Sequence, residues 1–233
     1  MKKYIIFGVS PFLSDIIDII HANGGRVAKI FLNMPEVQRE RTMSFRDRLA
    51  LLDYKVEVHE DLSAFKPQKG FLYSLGTPTP HKKTLVEELK AKHSLTFAPL
   101  IHPTVHVGSN VKIGEGVILN VNTTIGPNAQ LDDFCVVNRC VSIGHEAHIG
   151  CHALIGPQAS IAGAVQVGEG ATIAMRATVI DKSQIGAWAV VGAASLVTKD
   201  VPANMVVYGS PAKVIRENPD ANIDQYKKNR ALS

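Results

Sequence analysis

From Val107 to Val197 an aliphatic residue returns every six positions without a break: Val107, Ile113, Leu119, Ile125, Leu131, Val137, Ile143, Ile149, Ile155, Ile161, Val167, Ile173, Val179, Ile185, Val191 and Val197. An α-helix repeats about every 3.6 residues and a strand about every 2, so neither accounts for this spacing. A solenoid does. The residues two places before these positions are mostly small, among them Ala129, Cys135, Ala147, Ala153, Ala159, Ala171, Ala177 and Ala189. The pattern reads as a triangular prism. Three short faces of six residues make one coil, each aliphatic side chain fills the axis, and a small residue near each corner lets the chain turn. Glycine just after the inward residue, in the recurrent IG and VG pairs, is expected to supply backbone freedom at the corner. The faces amount to a little over five coils, and at about 4.8 Å per coil the prism would be roughly 25 Å long.

Before residue 100 the rule is different. KYIIFGV reads as an apolar strand, SDIIDIIHANGG as a helix with Ile16, Ile19 and Ile20 on one face and Gly24 as its stop, and RVAKIFLN as a second strand. GFLYSLG gives a further strand and HKKTLVEELKAKH a helix with Leu85 and Leu89 inward, before LTFAPL closes the set. Alternating elements of this length imply a small parallel sheet with helices on its faces, a Rossmann-like α/β domain. The expected organisation is therefore an α/β domain over 1–99, a β-helix over 100–215 and a tail over 216–233. Residues 34–53 carry no clear period. Within them VQRERTMSFRDR, with Arg39, Arg41, Arg46 and Arg48 interrupted by acids, reads as a solvated helix or loop rather than an anion site.

Composition narrows the function classes. The chain has 45% hydrophobic and 20% charged residues, which is ordinary for a soluble globular protein. A formal charge of +4 and 6% aromatic residues, with no basic stripe interleaved with aromatics, argue against nucleic-acid binding. The basic residues and short apolar run at the amino terminus read as a first strand, and no apolar stretch approaches the roughly 18 needed to cross a bilayer. Cys135, Cys140 and Cys151 are an odd number, which favours reduced thiols in a cytoplasmic protein.

Uninterrupted repeats of an aliphatic residue, glycine and four others resemble the left-handed parallel β-helix of the hexapeptide-repeat acyltransferases. The closing segment VTKDVPANMVVYGSPAKVIRE is similar to their carboxyl-terminal stretch. With the α/β domain, the LIHPTVHVG junction and the NRCVSIGHE segment, the chain resembles the sialic-acid O-acetyltransferase type of sugar acetyltransferase, a group that includes enzymes N-acetylating nucleotide-linked amino sugars for bacterial surface glycans. The resemblance implies acetyl-CoA as co-substrate, a nucleotide-linked 4-amino sugar as acceptor, and a homotrimer with acetyl-CoA bound between neighbouring prisms. Flat faces left open on an isolated prism are a separate reason for association.

The same resemblance places the general base on His145 and its orienting acid on Glu146, within the Gly-His-acid motif of residues 144–146. Imidazole suits the task because its ordinary pKa near 6.5 lies close to working pH. One coil later, eighteen residues on, stands Gly163, whose amide would hold the oxyanion. Further implied coenzyme contacts are Leu154, Met175 and Ala193, where the family often has histidine at the first position and glycine at the last. Lys199 and Lys213 are candidates for the coenzyme phosphates. Implied substrate contacts are Gly8, Ser10, Phe12, Asn33 and Gly76 in the α/β domain, and Asn138 in VVNRC. Two departures stand out there: Gly8 is the only glycine left of the family's phosphate turn, where Pro11 has no N–H, and Asn33 replaces an aspartate. Specificity should then differ from UDP-linked amino sugars.

Three alternatives follow from the same residues. An O-acetyltransferase acting on a free or carrier-linked sugar would tolerate the eroded turn. A zinc lyase like the gamma-class carbonic anhydrases, which share the β-helix, would need converging ligands. Gly150 stands five after His145, where that family has its second histidine, and His145, His148 and His152 occupy three different places in the repeat, so no metal is expected. Cys151 as an acyl carrier is the third; a solvated thiol is the plainer reading. His148 and His152 are read as polar surface or intersubunit contacts, and a pure binding module is disfavoured by His145, Glu146 and Gly163 together.

Overall fold

The computed structural model describes residues 1–33 and 43–221. Its amino-terminal part runs β1 (Lys2–Phe7), α1 (Leu13–Ala22), β2 (Gly25–Phe31), α2 (Phe45–Ala50), β3 (Glu57–His59), β4 (Phe71–Leu75) and α3 (Lys82–His93). The four strands form one parallel sheet in the order β3-β2-β1-β4. From Tyr4 to Phe7, β1 is an unbroken apolar run because both its faces are buried there. Tyr4 and Ile6 join α1, while Ile5 and Phe7 join Phe31, Phe65, Leu85, Leu89 and Phe97. α2 and β3 fall in or next to the stretch without a period. LTFAPL forms no strand over 95–99: Leu95 and Phe97 pack into the second core, and Leu100–Ile101 already belongs to the first coil of the prism. On α2, Arg46 pairs with Glu60, and Arg48 donates to Ser14 Oγ at 2.9 Å. Arg39 and Arg41 lie outside the described residues.

From residue 100 the chain forms two-residue strands six apart, each pairing in parallel with the strand eighteen residues away: Ile143 with Ile125 and Ile161, Ile149 with Leu131 and Val167, Ile155 with Val137 and Ile173. Three ladders result, one for each face of the prism. The period begins one face earlier than Val107, since Ile101 pairs with Leu119. The inward residues from Leu119 to Val197 are at most 3% exposed, and the small residues two before them at most 5%. Each buried aliphatic contributes about 1.5–3 kcal/mol, so the axis is the main source of stability. A hairpin of Met205–Gly209 and Ala212–Glu217 closes the far end, Val206 pairing with Val190; residues 222–233 of the expected tail lie outside the described residues.

The corner glycines have a different reason from the expected one. The left-handed backbone falls three places after the inward residue, on Asn128 (φ 60°), Glu146 (φ 59°), His152 (φ 60°) and their equivalents. The glycine directly after the inward residue has no such φ; it is there because the next coil passes too close. A Cβ on Gly144 would stand 2.5 Å from the nitrogen of Gly163, and one on Gly126 would stand 2.6 Å from the nitrogen of His145.

The two parts share their cores. The outward residues Leu100, Ile118, Val136 and Leu154 of one prism face pack under α1, and Phe134 from a corner enters the core beneath α3. α3 lies along one prism edge, with Lys90 paired to Glu115 at 2.5 Å, Lys83 to Glu169 at 2.6 Å, and the His81 ring 5.6 Å from that of Trp188.

Candidate active site

The ladder Ser142–Ser160–Thr178–Leu196 stacks His145, Gly163, Asp181 and Lys199 in one column along a prism edge. His145 sits two places after its inward residue, so its side chain leaves the prism and is 64% exposed. The imidazole folds over the next coil: a Cβ on Gly163 would lie 2.5 Å from Nε2 and 2.7 Å from Cε1. Only glycine leaves the ring where it is. On either side of Gly163, the amides of Ala162 and Ala164 donate to Val179 and His145 carbonyls. Among the described residues the Gly163 N–H makes no ladder hydrogen bond. Glu146 lies 3.9 Å from Nδ1 of His145, an ion-pair distance beyond hydrogen-bonding range. The orienting bond expected of it is therefore not made in the isolated chain.

The remaining residues implied for the coenzyme divide between places. Met175 and Ala193 stack one coil apart on another edge, at the opposite end of the faces that carry Thr178 and Leu196; Met175 is 55% exposed. Lys199 shares the edge of His145, and Lys213 is exposed on the closing hairpin. Leu154 joins neither group. Its apolar side chain packs with Ile118 and Val136 against the α/β core, which gives a leucine there a structural reason.

The α/β sheet has its own topological switch point. Strand order reverses between β1 and β4, and in open parallel sheets ligands bind beyond the carboxyl ends of strands at such a point. Gly8 (φ 72°) ends β1 with Asn33 Oδ1 against it, and Gly76 ends β4 so close to Gly8 that a side chain on it would overlap the Gly8 carbonyl. Ser10 Oγ donates to the Gly76 carbonyl at 2.8 Å and accepts from the Phe12 amide at 3.2 Å, so it braces the turn. Phe12 is 8% exposed and its side chain belongs to the core. Asn138 is also largely committed: its Oδ1 accepts from the Arg139 amide at 2.8 Å and from Asn120 at 3.3 Å, and Asn120 reaches Asp15 of α1.

His148 and His152 do not join His145. His148 Nε2 pairs with Asp132 at 2.7 Å on an outer face. His152, read from sequence as surface, is buried beneath α3 and stacked on Phe134 at 5.5 Å. Burial, with Lys82 nearby, pulls its pKa down to about 4. Between pH 6.5 and 4 the unfolded chain therefore takes a proton that the folded chain refuses, and stability present above that window is lost as pH falls, by about 3 kcal/mol. Urea midpoints from pH 7 to 4 should show His152→Asn, which tolerates the left-handed backbone, to be less acid-sensitive than the wild type. Parallel curves would rule this origin out. Burial, and the acids around it, push the Cys151 thiol up, which leaves the acyl-carrier idea without support. Among the described residues no three His, Cys, Asp or Glu side chains form a group that could hold a metal ion.

Comparison with known proteins agrees with the fold. The bacterial transferase hexapeptide family model (six repeats) matches residues 122–157 and 146–181. A histidine-to-asparagine mutant of perosamine N-acetyltransferase from Caulobacter crescentus, in complex with CoA and GDP-perosamine, superimposes with a TM-score of 0.79 at 24% identity, over 93% of this chain and 98% of that one. The chain has the fold of the hexapeptide-repeat sugar acetyltransferases. Its β-helix is accordingly left-handed. The acetyltransferase domain of PglB from Neisseria gonorrhoeae, in complex with acetyl coenzyme A, has a TM-score of 0.77 at 19% identity over 92% and 99% of the two chains. WeeI from Acinetobacter baumannii has 0.69 at 20% over 92% and 100%. No curated protein matches the sequence.

Proposed function

We propose that this protein is an acetyl-CoA-dependent N-acetyltransferase whose acceptor is a nucleotide-linked amino sugar destined for a bacterial surface glycan. The observation that carries this reading is the His145 imidazole, exposed at a prism edge and lying against Gly163, beside an amide that has no ladder partner. Acetyl-CoA supplies the acyl group as a thioester. His145 accepts the proton of the acceptor amine as its nitrogen bonds to the acyl carbon, the Gly163 N–H donates to the oxygen that gains charge, and the C–S bond then breaks. Glu146 closes on Nδ1 to hold the imidazolium while it lasts, and the imidazolium returns its proton to the released thiolate, which regenerates the base. The complexes of the Caulobacter and Neisseria proteins support both the coenzyme and the acceptor class.

Met175 and Ala193 lie on a different edge from His145, Gly163 and Lys199. Two prisms side by side would bring the two edges together, which supports a homotrimer with its sites between subunits. The acceptor's nucleotide would lie at Gly8, Asn33 and Gly76, near Asn138. The unpaired thiols and the use of acetyl-CoA favour a cytoplasmic enzyme; no described helix is long and apolar enough to cross a membrane. A second reading, O-acetylation of a free or carrier-linked sugar, is favoured by the turn after β1, where Ser10 donates inward and Pro11 lacks an N–H.

Thiol release from acetyl-CoA with UDP-, dTDP- and GDP-linked 4-amino sugars, and with free and lipid-linked sugars, tests both readings. Release with one nucleotide sugar is the expected result. Release only with free or lipid-linked sugars would replace the first reading by the second, and release with none would defeat both.

A further inference from the structure

We propose that Lys82 is a positioning residue for the nucleotide-sugar site, tying the loop that follows the carboxyl end of β4 to the β-helix. This rests on the reading above, in which Gly8 and Gly76 border the acceptor.

Lys82 begins α3, yet it is 2% exposed, and among the described residues it pairs with no carboxylate. Its Nζ donates to three carbonyls instead: Pro78 at 3.2 Å, Thr79 at 3.4 Å and His152 at 3.2 Å. The first two belong to the loop running from Gly76 into α3, and the third to a prism corner. One amine, with three donors when protonated, thus joins the loop to the β-helix, and burial pulls its pKa down to about 7. Lys83 from α3 lies nearby, and Asp133 and Glu169 face the same seam from the prism.

Stability alone does not explain a charge in this place. Taking an ammonium out of water is costly, and an apolar side chain of similar volume is often as stable or more so. What the amine adds is a fixed geometry. Gly76, at one end of the loop, abuts Gly8, donates its amide to the Phe7 carbonyl at 2.9 Å and accepts from Ser10, so the loop leaves the sheet at the carboxyl ends of β1 and β4, beside the place proposed for the acceptor. Thr77 and Thr79 of the same loop, whose hydroxyls lie 3.4 Å apart, would be its polar groups for the acceptor.

The test compares wild type, Lys82→Met and Lys82→Gln by steady-state kinetics and amide exchange. Lys82→Met should fold as stably as wild type, raise the KM for the nucleotide sugar at least about tenfold, and leave the acetyl-CoA KM within about twofold. Exchange at 77–82 should quicken in the same variant. Lys82→Gln, which keeps a donor, should fall between. If wild type turns over and Lys82→Met keeps its acceptor KM, this proposal fails and the proposed function stands. Unchanged exchange at 77–82 would also overturn it, whatever the kinetics. No turnover by wild type on any nucleotide sugar would overturn the functional reading and this proposal with it.

Discussion

His145→Ala should lower kcat for acetyl transfer by at least tenfold, and by about 10²- to 10⁴-fold if the imidazole contributes what a positioned general base usually does. The fold should not notice. The side chain is 64% exposed and contributes nothing to the axial core, so the change in stability should stay within about 0.5 kcal/mol. KM for acetyl-CoA should hold steady too, since the ring's task is proton transfer in the transition state. The useful measurement is thus kcat and thermal midpoint on the same preparation, with the acceptor that gives thiol release in the wild type. A variant that turns over at the wild-type rate would remove His145 from the mechanism. A variant that is slow because it melts early would leave its chemistry unmeasured, which is why a side chain outside the core makes a clean probe.

How much of this could be read from the chain depends on the range of the interaction that decides each feature. The prism was legible because its rule is local: an aliphatic residue every six positions identifies Ile143, Ile149 and Ile155 as axial without reference to anything distant. The same register placed Gly163 one coil from His145. The role of the corner glycines was misjudged because a period shows where a residue recurs and not what passes beside it. Gly144 is held to glycine by the backbone of residue 163, a neighbour only after coiling. His152 went wrong for a related reason. Its corner is exposed in the bare prism, and burial comes from α3, a helix about sixty residues earlier whose docking leaves no mark on the hexapeptide pattern. Lys82 follows the same logic from the other side, since a lysine in the first turn of a helix reads as solvated until the β-helix covers it. Burial of the Phe12 ring was not legible either, because it depends on how α1 packs on the sheet. α2 and β3 are too short to carry a period of their own.

Gly163→Ala is the sharper test of the site, because it adds one methyl group and removes nothing. Gly163 does not use the left-handed backbone, so alanine costs no strain there, and its N–H remains available. The obstacle is the imidazole itself, 2.5 Å from the new carbon at Nε2. The ring must retreat by about 1 Å to reach van der Waals distance, and displacement of a catalytic group on that scale costs about 10²-fold in rate. kcat should fall by that order while the thermal midpoint stays put. The double variant His145→Ala/Gly163→Ala separates this mechanism from others. If the methyl acts only through the ring, the pair should be no slower than His145→Ala alone, a failure of additivity expected of residues that touch. If the two losses multiply, Gly163 acts on the coenzyme independently of the base. Wild-type kcat in Gly163→Ala would mean that the imidazole works from some other position than over the next coil.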